Sequence, residues 1–427
     1  MGYPIGLECI RCGTEYELGP LYKGCPACME RGLPTNLKVA VDGDRIRASF
    51  DPKKLADRPN SMWRYWEFLP AALEDAATLG EGMTPLVPVP RLAKRLGLKD
   101  LYVKNESANP TWSFKDRLAS SAVSFAPTLG ASVITGSSSG NAGAATAAYA
   151  ARAGLPCVMF TTQRFPMAMR VQMGVYGTKL VAVPTNHDRW KMVEAGVDNY
   201  GWFPVTVFLY PLVGSNPFGI EGYKTIGYEM VDQLGQVPDK VVVPVGAGDA
   251  FYGAWKGFKE YRDLGYTDTV PTMLAAEVFG PLQNAMEKEL DHVEATYRAP
   301  TVAISVGMET SAYQALAVLR ESGGTARTAT DEEMIEMQGQ LAADEGIYAE
   351  ASSVLSLAAI PRMMEAGAID PDDTVVAFLT SSGLKDPDMT AQHLREIPLI
   401  EPEFDELLKL LKYTYDLDVT DPAYAVS

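Results

Sequence analysis

Lys115 is the residue in this chain best suited by type and position to covalent chemistry. It follows the turn-forming cluster Asn109-Pro110-Thr111 and precedes a run of Ala, Ser, Val and Phe through Ala126 that reads as a helix with an apolar face. An amine at a loop-to-helix junction feels the positive end of the helix dipole, which lowers its pKa, and partial burial lowers it further. A neutral amine can attack a carbonyl and form a Schiff base. Position alone does not decide the matter, because most lysines at helix starts are simply solvated. Two loops could serve such an amine. Ser137, Ser138, Ser139, Gly140 and Asn141 open an alanine-rich helix, and backbone N–H groups with serine hydroxyls there make a carboxylate cradle. An ordinary helix cap would need only one of those serines. In VPVGAGDAF, Gly246 and Gly248 let the backbone approach a phosphate, a weak signal by itself.

A different chemistry is written near the N-terminus. Cys9-x2-Cys12 and Cys25-x2-Cys28 are separated by twelve residues. Each pair sets two thiolates on one knuckle, and a short hairpin brings the knuckles into a four-sulfur cage that suits Zn2+. A segment this short buries little core, and a bound metal compensates; the alternative is a reduced or vestigial ribbon. The fifth cysteine, Cys157, lies in the apolar run LPCVMF and reads as a small core residue.

The elements that must position these groups follow a rhythm. From about residue 101, short apolar runs (LYVK, SVITG, CVMF, KLVAV, TVFLY, KVVVPV, TMLAAE, TVVAFLT) alternate with helical patterns. That alternation predicts parallel strands with crossover helices on both faces, and ligands at the carboxyl ends of the strands. Trp63-Arg64-Tyr65-Trp66 reads as packing, and residues after about 400 read as an amphipathic C-terminal helix. The expected organisation is a zinc-ribbon-like module over 1–45, an α/β part over 46–212, a second over 213–400 and a tail over 401–427.

The whole chain sets outer limits. Its 427 residues allow two or three domains with large cores. A net charge of −17 argues against nucleic acid or an anionic membrane as partner. No apolar run reaches the length of a membrane span and no signal core opens the chain, so a cytoplasmic protein is expected. His187, His292 and His393 lie outside the chemical blocks, which argues against a Ser-His-Asp hydrolase.

The block LGEGMTPLVPVPRLAKRLGLKDLYVKNESANPTWSFKDR (79–117) resembles the entry to the threonine synthase branch of the fold-type II pyridoxal 5'-phosphate (PLP) enzymes. Later blocks continue the resemblance in order over nearly the whole chain. It implies the tryptophan synthase β-like fold, with two open doubly wound α/β domains beside the ribbon, and commonly a homodimer. It makes Lys115, in Ser113-Phe114-Lys115-Asp116-Arg117, the lysine that carries PLP. Asn141 then bonds the cofactor's phenolic oxygen, while Ser138, Ser139 and Gly140 hold the substrate carboxylate. Gly246, Ala247, Gly248, Asp249 and Ala250 form the cofactor-phosphate loop. Thr380, in FLTSSGLKD, faces the pyridine nitrogen, and Glu350, in EGIYAEASS, lies near the cofactor. A hydroxyl partner leaves the ring a weaker electron sink and favours quick loss of a leaving group.

The chain departs from the family form at several points. Trp112 replaces a Gly beside Ser113, Ala142 a Thr, and Ala247, Asp249 and Ala250 stand where the phosphate loop reads Asn, Gly and Asn. Gly219 stands where the block Asn-Pro-His-Arg-Leu-Glu-Gly-Gln-Lys-Thr has arginine. Arginine suits bidentate phosphate binding. These departures predict elimination, or elimination with replacement, at the β- or γ-carbon of an unphosphorylated amino acid, with Trp112 at the substrate and a cation opposite Asp249. One alternative is threonine synthase proper, taking O-phosphohomoserine with phosphate contacts from Arg170, Arg189 or Lys191. The other is a non-catalytic module binding through its ribbon.

Overall fold

The computed structural model describes residues 3–163 and 165–421. The chain divides into two compact units, Met1–Asp388 and Met389–Ser427. In the first unit, strands β1 (Pro4–Cys9), β2 (Glu15–Tyr16) and β3 (Leu37–Val41) form an antiparallel sheet in the order β2-β1-β3. There follow β4 (Leu86–Pro88), β5 (Asp100–Asn105), β6 (Ile134–Ser137), β7 (Cys157–Thr161), β8 (Lys179–Ala182), β9 (Phe203–Pro204), β10 (Lys240–Pro244), β11 (Thr272–Glu277), β12 (Ala326–Thr328) and β13 (Thr374–Leu379). They build a six-stranded sheet ordered β12-β11-β10-β13-β5-β4 and a four-stranded sheet ordered β8-β7-β6-β9. All pairs in these two sheets are parallel except β4 with β5 at the edge.

The apolar runs become strands because both faces of the larger sheet are covered. Val241, Val243, Val376 and Phe378 face one apolar core, while Val242, Val375, Ala377 and Leu379 face another. The period of two thus divides each strand between two cores. The ribbon sheet joins the first of these: Leu7, Leu37 and Val39 are buried in the same cluster as Phe218, Tyr252 and Trp255.

Six helices of this unit matter for the site: α1 (Lys115–Phe125), α2 (Asn141–Arg152), α3 (Asn186–Tyr200), α4 (Pro217–Leu234), α5 (Asp249–Asp263) and α6 (Ala351–Ala358). Helices α1 and α4 pack backbone to backbone. A Cβ on Gly222 would lie 2.0 Å from the Arg117 carbonyl oxygen, and one on Gly219 would lie 2.8 Å from Leu118 Cδ1 and 3.2 Å from Ala122 Cβ. Buried charge fixes the same junction. Arg117 pairs with Glu106 at 2.8 Å and Glu229 at 2.6 Å, and Lys104 pairs with Glu229 at 2.7 Å, all without solvent exposure.

One expected strand is displaced. TVFLY does not pair; β9 lies at Phe203–Pro204 instead. Backbone pairing ends with Val205 N–H bonding the Thr135 carbonyl. The Thr206 hydroxyl then takes the place of the ladder, accepting from Ser137 N at 2.8 Å. A side chain there satisfies the neighbouring strand, so the chain is free to turn away.

In the second unit the expected C-terminal helix forms as α7 (Phe404–Thr414), with Asp405 and Glu406 in its first turn and Lys412 in its last, matching the helix dipole. Among the described residues no helix is long and apolar enough to cross a membrane.

Candidate active site

The chemical residues converge because three strands of the six-stranded sheet and one of the four-stranded sheet run out into them. β5 leads through residues 106–114 to Lys115, β6 into the serine loop, β10 into the glycine loop and β13 into Thr380. The segment before Lys115 is stitched to the segment after β13. Phe114 N donates to Thr380 O at 2.9 Å, Ser382 N donates to Trp112 O at 3.1 Å, and Ser113 bridges Ser381.

Lys115 is the first residue of α1 and is partly buried. Its Nζ donates to Tyr223 Oη at 3.1 Å and lies 4.1 Å from the centre of the Phe114 ring. Burial lowers its pKa to about 8, with the carboxylates of Asp249 and Glu350 pulling the other way. A substantial neutral fraction near pH 8 is what a nucleophilic amine needs.

The serine loop divides its hydroxyls between two tasks. Ser138 Oγ caps α2, accepting from Gly140 N at 3.2 Å and Gly143 N at 3.0 Å. Ser139 Oγ instead meets Arg189 Nη1 at 3.3 Å. Asn141 opens α2 and is buried, its Nδ2 donating at 3.3 Å to both Glu350 oxygens and to Ser381 Oγ. Burial raises the Glu350 carboxyl above its ordinary value. Thr380 Oγ1 and Ser353 Oγ are hydrogen-bonded at 2.8 Å.

The glycine loop ends at α5, whose first turn carries no side-chain cap. Gly248 has φ +92, and its missing Cβ would lie 2.5 Å from Ala315 Cβ, so only glycine fits. Asp249 does not face the open end of the helix. Its Oδ1 accepts from Ser215 N at 3.1 Å and Gln314 Nε2 at 2.6 Å, and its Oδ2 from Ser215 Oγ at 2.6 Å. The carboxylate therefore braces the loop, and its oxygens are already engaged by Ser215 and Gln314.

These residues fit PLP. Uncapped amides at a helix start suit a phosphate. Ser113 Oγ, Ser137 Oγ and Asn141 Oδ1 are buried with no partner among the described residues, as expected of atoms awaiting a polar ligand. Ala247 and Ala250 leave the loop without side-chain donors, so the phosphate would be held by backbone.

A model of the family described as pyridoxal-phosphate dependent enzyme matches residues 77–381. The chain is 37% identical over 413 residues to the threonine synthase of Methanocaldococcus jannaschii, covering 95% of this chain and 99% of that one. This chain belongs to the PLP-dependent enzymes, in their threonine synthase branch. The threonine synthase of Methanosarcina acetivorans is 36% identical over 407 residues, 94% of this chain and 97% of that one. Among solved structures, maize serine racemase superposes with a TM-score of 0.62 at 18% identity, over 73% of this chain and 91% of that chain. Threonine deaminase isoform 2 from Solanum lycopersicum does so at 0.61 and 18%, over 76% and 92%. Those two likenesses concern the fold. Family membership makes the protein a PLP-dependent lyase and sets aside the non-catalytic module.

Three positions read differently once placed. Gly219 packs against Leu118 and Ala122 at the α1–α4 contact, so the absent arginine says nothing about the substrate. Trp112 is 46% exposed and has φ +66, a backbone region that favours the glycine of the family form. Arg170 is exposed, whereas Arg189 is partly buried at the serine loop. Tyr223, Ser353 and Ser381 also reach the site; all three lie within the blocks that carry the family resemblance, but none is singled out there. His187, His292 and His393 are all exposed.

The four cysteines also meet. Cys9 Sγ and Cys28 Sγ lie 3.7 Å apart, as do Cys12 Sγ and Cys25 Sγ, and all four sulfurs fall within 4.8 Å. Tetrahedral zinc with bonds of about 2.3 Å requires S···S edges of about 3.8 Å, so the cage fits that ion.

Proposed function

We propose that this protein is a threonine synthase, converting O-phosphohomoserine and water to threonine and phosphate. The observation that carries the choice of substrate is Arg189. Its Nη1 reaches Ser139 Oγ, its buried Nε has no partner, and no carboxylate lies within ion-pair distance of it among the described residues. Burial lowers its pKa, yet an arginine remains charged. An unpaired, partly buried guanidinium beside the substrate loop is costly unless an anion completes it. On this reading the substrate phosphate is that anion.

Bound PLP supplies the electron sink that lets bonds at the substrate's α-, β- and γ-carbons break. The chain supplies the rest. Lys115 holds the cofactor and, when free, moves protons at the α-carbon. The amides opening α5 hold the cofactor phosphate through Gly246, Ala247, Gly248, Asp249 and Ala250. Asn141 meets the phenolic oxygen, and Thr380, braced by Ser353, meets the pyridine nitrogen. Ser139 and Gly140 receive the substrate carboxylate, while Ser138 holds the start of α2 in shape. Zn2+ in the cysteine cage ties the ribbon together.

The test is turnover with PLP present. Phosphate and threonine are expected in equal amounts from O-phosphohomoserine. Arg189→Ala is expected to raise KM about tenfold or more, since a charge-assisted hydrogen bond contributes about 1.5–3 kcal/mol. Activity on O-acetyl or free homoserine but not on the phosphate ester would overturn the proposal. Trp112 favours a second reading, in which an unphosphorylated amino acid is the substrate. Its exposed ring adds apolar surface where the family has none, and the same substrate panel decides between the two.

A further inference from the structure

Tyr223 lies outside the loops that hold the rest of the site, yet its hydroxyl is the hydrogen-bond partner of the Lys115 amine. It stands on α4, 108 positions away, at 3.1 Å. Its ring is fully buried and stacks on Phe114, with centroids 5.3 Å apart and planes at 29°. The amine nitrogen lies 4.1 Å from the Phe114 centroid and 5.5 Å from that of Tyr223. It is therefore boxed by two rings, and Oη is its single hydrogen-bond partner among the described residues. Asp249 at the start of α5 and Glu350 before α6 act on it only through their fields. Glu106, Asp116 and Asp249 surround the phenol, and burial with those carboxylates pushes it well above its ordinary value. The hydroxyl thus stays neutral whenever the protein is folded. The close approach that delivers it depends on Gly219 and Gly222 in the same helix.

A lysine side chain has four rotatable bonds, and fixing it costs entropy that a partner must offset. An amine that is repeatedly released and re-engaged gains most from such a partner. We propose that Tyr223 is a positioning residue for Lys115: its hydroxyl oxygen accepts an N–H of the free amine and keeps the nitrogen on the face of Phe114, directed into the site. This rests on the role given to Lys115 above. The family form of this block has Gln at the position of Tyr223, and a Gln side-chain oxygen could accept the same bond.

Acceptance by Oη favours the charged form of the amine, so losing it lowers the Lys115 pKa. The test is competitive acetylation of the full-length protein, freed of cofactor, read at Lys115 by mass spectrometry across pH. Tyr223→Phe is expected to move the Lys115 profile down by about one pH unit. Tyr223→Gln is expected to bring it back towards the parent. With PLP bound, Tyr223→Phe should lower kcat about tenfold with little change in KM, and Tm should hold. A Tyr223→Phe profile unchanged or moved upward would overturn the inference, as would a Tyr223→Gln profile matching that of Phe. Whether PLP protects Lys115 from acetylation in the parent protein is read separately. Failure there would strike the role of Lys115 and not the contact with Tyr223.

Discussion

At the scale of single residues, the site depends on an amine kept partly neutral by burial. If Lys115 moves the proton at the α-carbon, it must be unprotonated to accept it. The pKa lowered to about 8 then sets the sign: kcat rises with pH through about 8 and levels above it. A kcat already level from pH 6.5 to 9 would remove Lys115 from that role. Lys115, the serine loop and the glycine loop could be singled out in the sequence because each is a contiguous block that the family resemblance picks out; local geometry alone leaves Lys115 undecided and the glycine turn weak. Tyr223 is not singled out by the sequence, and Arg189 is there only one of three candidate phosphate contacts, beside Arg170 and Lys191. Each reaches the site from a distant helix, and nothing in the neighbours of either residue encodes where that helix packs. Gly219 shows the converse: a residue type read as a missing ligand is instead a space-saving contact with Leu118 and Ala122.

At the scale of elements, α1 is held by the buried Arg117, Glu106, Glu229 and Lys104 network. Although burial alone would raise Glu229, Arg117 and Lys104 hold it down to about 2. Its folded pKa is thus below the unfolded value. The pair contributes stability that is full above about pH 4.5 and lost as pH falls through about 2. Glu229→Gln leaves two buried cations short of a counter-charge, and is expected to cost about 3–5 kcal/mol by denaturant titration. A loss under about 1 kcal/mol would show that the network does not fix α1. The strands were readable because a buried parallel sheet leaves continuous apolar runs. TVFLY carried the same composition but failed to pair, because the Thr206 hydroxyl satisfies Ser137 in place of the backbone. β12 is only three residues long and too short to show a pattern.

At the scale of the molecule, the cysteine ribbon is part of the main core. Its sheet shares one apolar cluster with α4 and α5. Asn36, between the second cysteine pair and β3, also donates to Ser215 O at 3.0 Å, and Ser215 holds Asp249 at the glycine loop. If the cage holds Zn2+, a strong chelator should lower Tm by on the order of 5 °C and weaken PLP binding, and added Zn2+ should restore both. An unchanged Tm after verified removal of metal would make the ribbon self-supporting. The spacing of the cysteines revealed the cage. It gave no hint that the cage would be braced against the glycine loop, since that contact joins residues 179 positions apart.

The role of one amine is tested most directly by chemical trapping. The protein with bound PLP is reduced with borohydride, digested and mapped by mass spectrometry. A pyridoxyl group on Lys115 is the expected result, lost in Lys115→Ala. A pyridoxyl group fixed on another lysine, or none at all from a protein that makes threonine, would contradict it.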